Sequence, residues 1–256
     1  MRQKKYLKAV DDGWTALTAI KWLKKHEPML ADADVGVGAY DYWRSVITKN
    51  VSWIPFFPDK RKEGIAAMEN GMVDAQYTRP VAQLVLIFVY IDERRYDDAI
   101  TFAQDLADRY PQNTLARVQL GRALSRKHRY SESIAVFEEV VRLQPDNKVA
   151  DYYLGANYLY QGKDLDKAEA HLRKFIEHAP GRDWRGWAYE RLGDLYSKRR
   201  KPEAAIVYWK KALRDNPEDK SIEKKIANAR KRIQASQSAP APTVTPTPGA
   251  GPGTLP

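Results

Sequence analysis

The sequence has 256 residues, and its content of 43% apolar and 30% charged residues is ordinary for a globular protein with a buried core. Lysine and arginine outnumber aspartate and glutamate by 43 to 33, and this positive excess favours acidic partners, whether protein, nucleic acid or anionic membrane. Cysteine is absent, which excludes disulfides and thiolate metal sites.

The beginning of the chain contains basic residues but lacks the unbroken apolar stretch of a signal peptide. The longest apolar run, residues 81–91, is about half of the roughly 20 residues that a membrane span needs. As it stands, the sequence therefore predicts a soluble cytoplasmic protein with no transmembrane segment, or an exported one if the N-terminus is truncated.

Prolines and glycines recur at one interval from the start of the chain. A glycine follows a proline by ten residues three times: Pro28 and Gly38, Pro111 and Gly121, Pro145 and Gly155. The interval predicts helical hairpins that repeat from the N-terminus onward. Residues 1–30 are accordingly expected to form a degenerate unit that starts inside its first helix.

The second unit, about 31–79, is longer than those that follow, with helices predicted at 33–47 and 61–77. Between them an insertion at about 49–63 carries three aromatic residues, Trp53, Phe56 and Phe57. Exposed loops rarely concentrate aromatic side chains. Three roles therefore stay open: closing over the protein's own repeats, anchoring a partner, and shallow contact with a membrane. Residues 1–79 are together expected to be degenerate or expanded repeat units.

Four regular units follow with a period of 34, at 80–113, 114–147, 148–182 and 186–219. Each unit carries a small residue at the same place in the repeat, and near its end a proline, which cannot continue a helix. The small residues are Ala99, Ser133, Ala168 and Ala205, and the prolines are Pro111, Pro145, Pro180 and Pro217. One hairpin cannot bury its own apolar faces, so the units are expected to stack.

The last part of the chain changes character after the fourth regular unit. Residues 220–235 place Ile222, Ile226, Ala229 and Ile233 on one helical face and basic residues elsewhere, which predicts a capping helix with a polar outer side. Residues 236–256 are rich in Pro, Ala, Thr and Gly and are predicted to be disordered.

The spacing of Leu-Gly, small residues and proline closely resembles the tetratricopeptide repeat. That resemblance implies an all-α fold, a right-handed α-solenoid of helix-turn-helix repeats with a C-terminal cap. It implies a non-catalytic scaffold or adaptor that binds a protein or peptide partner in its concave groove. The family's groove positions fall on Leu84, Phe88, Ile91, Val118, Arg122, Arg126, Tyr152, Tyr160, Trp187 and Arg191.

One specialised form of the family, the carboxylate clamp for chaperone tails, is not expected here. Its positions hold Val118, Arg122, Tyr153, Trp187 and Arg191, and only the last residue matches the clamp.

The turns inside the repeats are rich in cations, which a solenoid would align along one rim. They are Arg94, Arg95, Arg126, Lys127, Arg129, Lys198, Arg199, Arg200 and Lys201. An alternative function is binding of nucleic acid, anionic lipid or acidic protein along this rim. The competing interpretation is a set of solvated turns, neutralised by acids such as Asp97 and Asp98. The turns at the opposite rim, at 111–113, 145–147 and 217–219, are neutral or acidic.

The sequence predicts neither an enzyme, a cofactor nor a metal site. The four histidines, His26, His128, His171 and His178, match no metal-binding spacing. The G-x-G at residues 36–38 has an aspartate in place of a third glycine and no preceding strand, which argues against a dinucleotide site.

Overall fold

Twelve α-helices and no strand make up the part of the chain that the structure describes, residues 2–49 and 58–238 of a computed structural model. In chain order the helices are α1 (Arg2–His26), α2 (Ala31–Lys49), α3 (Arg61–Asp74), α4 (Arg79–Asp92), α5 (Tyr96–Arg109), α6 (Thr114–Arg126), α7 (Tyr130–Leu143), α8 (Lys148–Gln161), α9 (Leu165–Glu177), α10 (Arg182–Lys198), α11 (Pro202–Asp215) and α12 (Lys220–Ser238). The predicted all-α repeat fold is confirmed. Among the described residues, no helix is both long and apolar enough to cross a bilayer.

Helix α1 differs from the expected hairpin, because residues 2–26 form one unbroken helix. The segment contains Gly13 but no proline. Glycine costs a helix about 1 kcal/mol relative to alanine, which is too little to end it, whereas proline costs about 3 kcal/mol. Pro28 thus lies between α1 and α2, and Gly38 lies within α2. The interval between them does not indicate a turn within α1.

The chain divides into two compact units, residues 1–175 and residues 176–256, which we call unit 1 and unit 2. The boundary falls inside α9, where the repeat spacing predicts no division. Unit 1 contains α1 to α8 and most of α9, and unit 2 contains α10 to α12. The aromatic insertion (Trp53, Phe56, Phe57) and residues 239–256 lie outside the described residues.

Close contact between paired helices in unit 1 explains two of the regularly spaced glycines. A Cβ added at Gly121 would lie 2.6 Å from the Phe137 ring, and one at Gly155 would lie 2.6 Å from Leu172. Phe137 and Leu172 are fully buried. Any larger residue at either glycine would therefore force two packed helices apart.

A buried chain of hydrogen bonds links three helices of unit 1. Asn157 of α8 accepts from the Ser125 hydroxyl at 2.6 Å and donates to the Ser133 hydroxyl at 2.7 Å. Ser133 in turn donates to the Gly121 carbonyl at 2.7 Å. Because these hydrogen bonds are buried, a shift of α6, α7 or α8 would leave polar groups unsatisfied. The hydrogen bonds therefore fix the register of the three helices.

The beginning of α4 is held by a carboxylate from α2. Asp32 accepts hydrogen bonds from the backbone N–H groups of Gln76, Tyr77 and Thr78, and also from the Thr78 hydroxyl at 2.7 Å. Burial raises the pKa of Asp32, but these hydrogen bonds outweigh it and lower the pKa to about 2. The N-cap Thr78 makes no cap bond with its own side chain, and Asp32 satisfies the Thr78 backbone N–H from a neighbouring helix.

The turns inside the hairpins share one backbone conformation. Arg94, His128, Gly162 and Arg200 all adopt the left-handed region, with φ between 58° and 74°. In three of these turns the next residue donates its N–H back to the last turn of the preceding helix, as from Arg95 to the Tyr90 carbonyl at 2.8 Å. This geometry presents the basic turn residues at the ends of the helices.

Unit 2 has a core built around Trp209. A Cβ added at Gly193 would lie 2.3 Å from the indole, so only glycine fits between α10 and α11 at this point. Ile222, Ile226 and Ala229 of α12 are buried in the same cluster. Helix α12 therefore covers α11 with its apolar face, and it runs past residue 235, where the sequence predicts its end.

Candidate binding groove

The groove positions of α4 and α6 in unit 1 form a mainly apolar surface. Leu84, Phe88 and Ile91 of α4 are partly buried, and Leu84 and Ile91 pack against the core. Val118 of α6 is only 7% exposed, so it contributes more to the core than to a surface. Helix α6 packs against both α4 and α8, which brings these positions together. We call the set Leu84, Phe88, Ile91, Val118, Arg122 and Tyr152 the unit 1 groove.

Arg122 is the cation of the unit 1 groove. Its guanidinium carbon lies 5.8 Å from the centre of the Phe88 ring, and its Nη1 donates to Gln119 Oε1 at 2.7 Å. Its Nε is buried and has no hydrogen-bond partner among the described residues. No carboxylate in the described part of the chain forms an ion pair with Arg122. A buried N–H without a partner lowers the stability of the folded state by about 1–3 kcal/mol.

The two tyrosines predicted for the groove have neighbours of their own. The Tyr152 ring lies 5.3 Å from the Phe175 ring and 5.2 Å from that of Tyr153. Tyr160 is 42% exposed and lies 5.4 Å from the Tyr130 ring. Both tyrosine rings thus pack against neighbouring aromatic rings. This packing reduces the side-chain entropy that they would lose on contact with a ligand.

The corresponding positions of unit 2 are already occupied by charge pairs. Lys225 of α12 places its Nζ 2.6 Å from Glu190 and 2.7 Å from Asp194 of α10. Arg191 lies 2.9 Å from the Asp194 carboxylate, and the Trp209 indole donates to Asp194 at 3.1 Å. Burial lowers the pKa of Lys225, but the two carboxylates outweigh it and raise the pKa above its usual value. Arg191, predicted to contact a partner, is therefore held by acids of its own helix.

Sequence reasoning missed the role of Lys225, because it placed this lysine on the solvated side of the cap. The signal that was present is the pair Glu190 and Asp194, which lie four residues apart and so share one face of α10. Trp187, three residues before Glu190, remains 41% exposed and lies 5.2 Å from the Trp184 ring.

A cavity of about 870 Å³ opens in unit 2 beside these pairs, with a floor of Trp209, Ala229 and Ile233. Polar or charged residues, among them Asp194, Glu203, Lys225 and Asn228, make up most of its remaining walls. Lys198, Arg200 and Arg232 also line it. The basic turn of unit 2 therefore borders the groove positions of the same unit.

Several cations of the predicted basic rim are paired within unit 1. Arg95 lies 2.6 Å from Asp98 and 3.1 Å from Glu69. Lys127 pairs with Asp97, and Arg129 pairs with Glu132. Arg94 and Arg126 are exposed and have no ion pair among the described residues. Acidic neighbours thus neutralise a large part of the rim in unit 1.

The rim cations of unit 2 lie at the end of α10 and in the turn between α10 and α11. Lys198, Arg200 and Lys201 are exposed, and the Arg199 guanidinium carbon lies 5.7 Å from the centre of the Tyr196 ring.

One histidine, His171, pairs with a buried acid. His171 Nδ1 lies 3.0 Å from the buried carboxylate of Asp151, and Lys174 lies 2.9 Å from the same group. Burial raises the pKa of Asp151, but the hydrogen bonds from His171 and Lys174 hold it below the usual range. In the described part of the chain, no group of three His, Asp or Glu side chains is arranged to hold a metal ion.

Comparison with known proteins identifies the repeat. Residues 90–156 and 149–181 each match a family model described as tetratricopeptide repeat. No curated protein matches the sequence.

Several solved structures share the fold. TTC0263, a thermophilic TPR protein of Thermus thermophilus, superposes with a TM-score of 0.57 at 18% identity, over 75% of this chain and 98% of its own. YrrB, described as a TPR protein with an unusual peptide-binding site, gives 0.57 at 16% identity, over 84% and 100%. MamA of Desulfovibrio magneticus RS-1 gives 0.54 at 22% identity, over 62% and 88%. The two matches show that residues 90–181 contain tetratricopeptide repeats, and the solved structures share the all-α repeat fold; proteins built from these repeats generally are non-catalytic scaffolds for protein–protein interaction.

Proposed function

We propose that this protein is a scaffold or adaptor that binds a peptide segment of a partner protein in the unit 1 groove. The observation that carries the proposal is Arg122, a cation that lies 5.8 Å from the centre of the Phe88 ring and forms no ion pair with a carboxylate among the described residues. The likeness to YrrB, which has a peptide-binding site, supports a peptide ligand.

The groove favours a particular peptide chemistry. Leu84, Phe88 and Ile91 offer apolar contact, and a carboxylate from the peptide would pair with the Arg122 guanidinium group, which is partly exposed. A charge-assisted hydrogen bond formed away from water is stronger than one at an exposed surface. The expected ligand is therefore a segment with apolar anchors and one aspartate, glutamate or C-terminal carboxylate.

Unit 2 offers a contact of its own, Trp187, which we propose as a separate binding position. Trp187 remains exposed, whereas Arg191, the other predicted groove residue of unit 2, is paired with Asp194. Tryptophan and tyrosine are frequent interface hot spots because they bury much area with few rotatable bonds. Trp187 and Tyr160 are accordingly better candidates for binding energy than Arg191.

A peptide-display selection against the full chain, followed by calorimetry of a selected peptide, tests the proposal. Arg122→Gln and Tyr152→Ala should each weaken binding by about tenfold or more, equivalent to about 1.4 kcal/mol. Arg94→Gln, which removes a cation from the basic turn, is the matched control and should leave affinity unchanged. Normal binding by both groove variants would overturn the proposal.

Binding of nucleic acid or anionic lipid along the basic rim is the competing function. It is disfavoured because Arg95, Lys127 and Arg129 already pair with carboxylates. The two models differ in salt dependence, since nucleic-acid binding falls steeply with added salt and apolar contact responds little. A rim variant such as Arg94→Gln with Lys127→Gln that abolishes binding, beside normal groove variants, would favour the rim.

A further inference from the structure

A second charged cavity lies in unit 2, at the opposite end of the α10–α11 hairpin from its basic turn. Its volume is about 410 Å³, and its walls come from the first half of α10 and the last turns of α11. It is lined by Arg182, Arg185, Tyr189, Lys211, Arg214 and Asp215. The turn at 217–219, predicted to be neutral or acidic, does not line this cavity, which gathers four cations against one carboxylate.

The single carboxylate fixes two of the cations. Asp215, whose side chain is nearly buried, accepts from Arg185 Nε at 2.7 Å and from Arg185 Nη2 at 2.8 Å. Arg182 Nε lies 3.7 Å from the same group, and its Nη2 donates to the Arg214 carbonyl at 2.6 Å. The hydrogen bond from Arg185 holds the pKa of Asp215 below its usual range. Asp215 is thus ionised at neutral pH and orients both guanidinium groups.

Two cations of the cavity have no carboxylate of their own. Lys211 Nζ lies 5.6 Å from the centre of the Tyr189 ring and 5.2 Å from that of Tyr208, and no ion pair with an acid is formed in the described residues. The Arg214 side chain likewise has no ion pair there. Gathering unneutralised cations costs repulsion in the folded state, and an anion would relieve it.

We infer that this cavity binds a phosphoryl group carried on a small molecule. A dianion with several oxygens suits guanidinium groups that are already oriented, because arginine presents paired donors in a fixed plane. A simple carboxylate has fewer oxygens and less charge, and Asp215 already supplies one. The cavity exceeds the size of an isolated phosphate, and the Tyr189 ring forms a wall for the group attached to it.

The test is calorimetric titration of the full chain with pyrophosphate, inorganic phosphate and acetate, at ionic strength kept constant with chloride. Saturable binding of pyrophosphate or phosphate, with no response to acetate, is the expected result. Lys211→Met with Arg214→Met should reduce affinity at least tenfold. The control, Lys198→Met with Arg200→Met, removes the same charge from the basic turn and should bind like the wild type.

Two outcomes would overturn the inference. The first is the absence of saturable binding of either phosphate. The second is an equal loss in both double variants, which would mark binding to overall charge. Thermal unfolding of each variant verifies that it is folded, and Lys211→Gln with Arg214→Gln gives a second pair if the methionine variant is not. Because neither position lies in the unit 1 groove, this result is independent of the proposed peptide binding.

Discussion

The ninth position of a repeat has opposite surroundings in the two units. In unit 1 it holds Arg122 of α6, which binds Gln119 and keeps an unsatisfied N–H. In unit 2 it holds Asp194 of α10, which is bound by Lys225, Arg191 and the Trp209 indole. The position in the repeat indicates which residue could bind a partner. Whether that residue still has free hydrogen-bonding groups depends on the side chains next to it.

The difference follows from the cap. An array of hairpins must cover its last apolar face, and α12 does so with Ile222, Ile226 and Ala229. The same helix brings Lys225 to Glu190 and Asp194. Covering the core in unit 2 thus also neutralises the acids of its groove positions.

The largest expected effect comes from Lys225→Met. This change removes the lysine that pairs with both Glu190 and Asp194 and leaves the two acids paired with Arg191, so the free energy of unfolding should fall by about 2–3 kcal/mol. Urea denaturation measures it. Lys224→Met, at the exposed neighbour, is the control and should change stability by less than about 0.5 kcal/mol. Equal stability of the two variants would mean that the charge pairs of unit 2 contribute nothing.

The pH dependence that Asp151 of unit 1 contributes and that Lys225 of unit 2 contributes should differ in direction. In unit 1 the lowered pKa of Asp151 gives stability that is present above about pH 4, the usual aspartate pKa, and is lost as pH falls through the lower folded value. In unit 2 the raised pKa of Lys225 gives stability that is present below about pH 10.5 and is lost as pH rises above it.

Asp151→Asn should therefore destabilise the protein at neutral pH by about 2 kcal/mol and reduce the further loss on acidification. Lys225→Met should flatten the alkaline side instead. Unfolding of both variants in a pH series measures this, and an unchanged acid limb in Asp151→Asn would contradict the assignment.

A smaller effect is expected at the left-handed turns, where the two units should behave alike. Arg94 in unit 1 and Arg200 in unit 2 have φ of 59° and 58°, which costs a non-glycine residue about 1–2 kcal/mol. Arg94→Gly and Arg200→Gly should each stabilise the protein by about 0.5–1 kcal/mol after glycine's entropy is counted. Gly162→Ala, at φ 74°, should have the opposite sign. Thermal melts that show destabilisation by either arginine change would refute this.

The smallest effect on stability is expected for Arg122→Met. It applies to unit 1 the substitution made at Lys225, but it removes a cation that pairs with no carboxylate among the described residues. Unfolding free energy should change by less than about 0.5 kcal/mol, since the lost Gln119 bond is offset by removal of an unsatisfied N–H. A loss as large as that of Lys225→Met would show that Arg122 serves the fold and not a ligand.

The hairpins could be predicted from the sequence because their signals are local. Glycine is required where Gly155 meets Leu172, and Pro145 and Pro180 follow the ends of α7 and α9. For the candidate site, the sequence also predicted which residue occupies each groove position of the repeat.

Contacts between distant segments were not readable in the same way. The ion pairs of Lys225 join α12 to α10, and the cavity at Arg182 and Arg214 joins two helix ends more than 30 residues apart. The unbroken α1 was missed because a weak helix breaker, Gly13, is tolerated when no proline accompanies it.

A double-mutant cycle between Arg122 and a peptide carboxylate tests the central claim most directly. Calorimetry of a selected peptide and of its Asp→Asn or Glu→Gln form, each against wild type and Arg122→Gln, gives the coupling energy between the two groups. Direct contact in the unit 1 groove predicts a coupling of about 1.5 kcal/mol or more. Strictly additive losses, with no coupling for any carboxylate of the peptide, would contradict the claim that this groove reads an acidic group through Arg122.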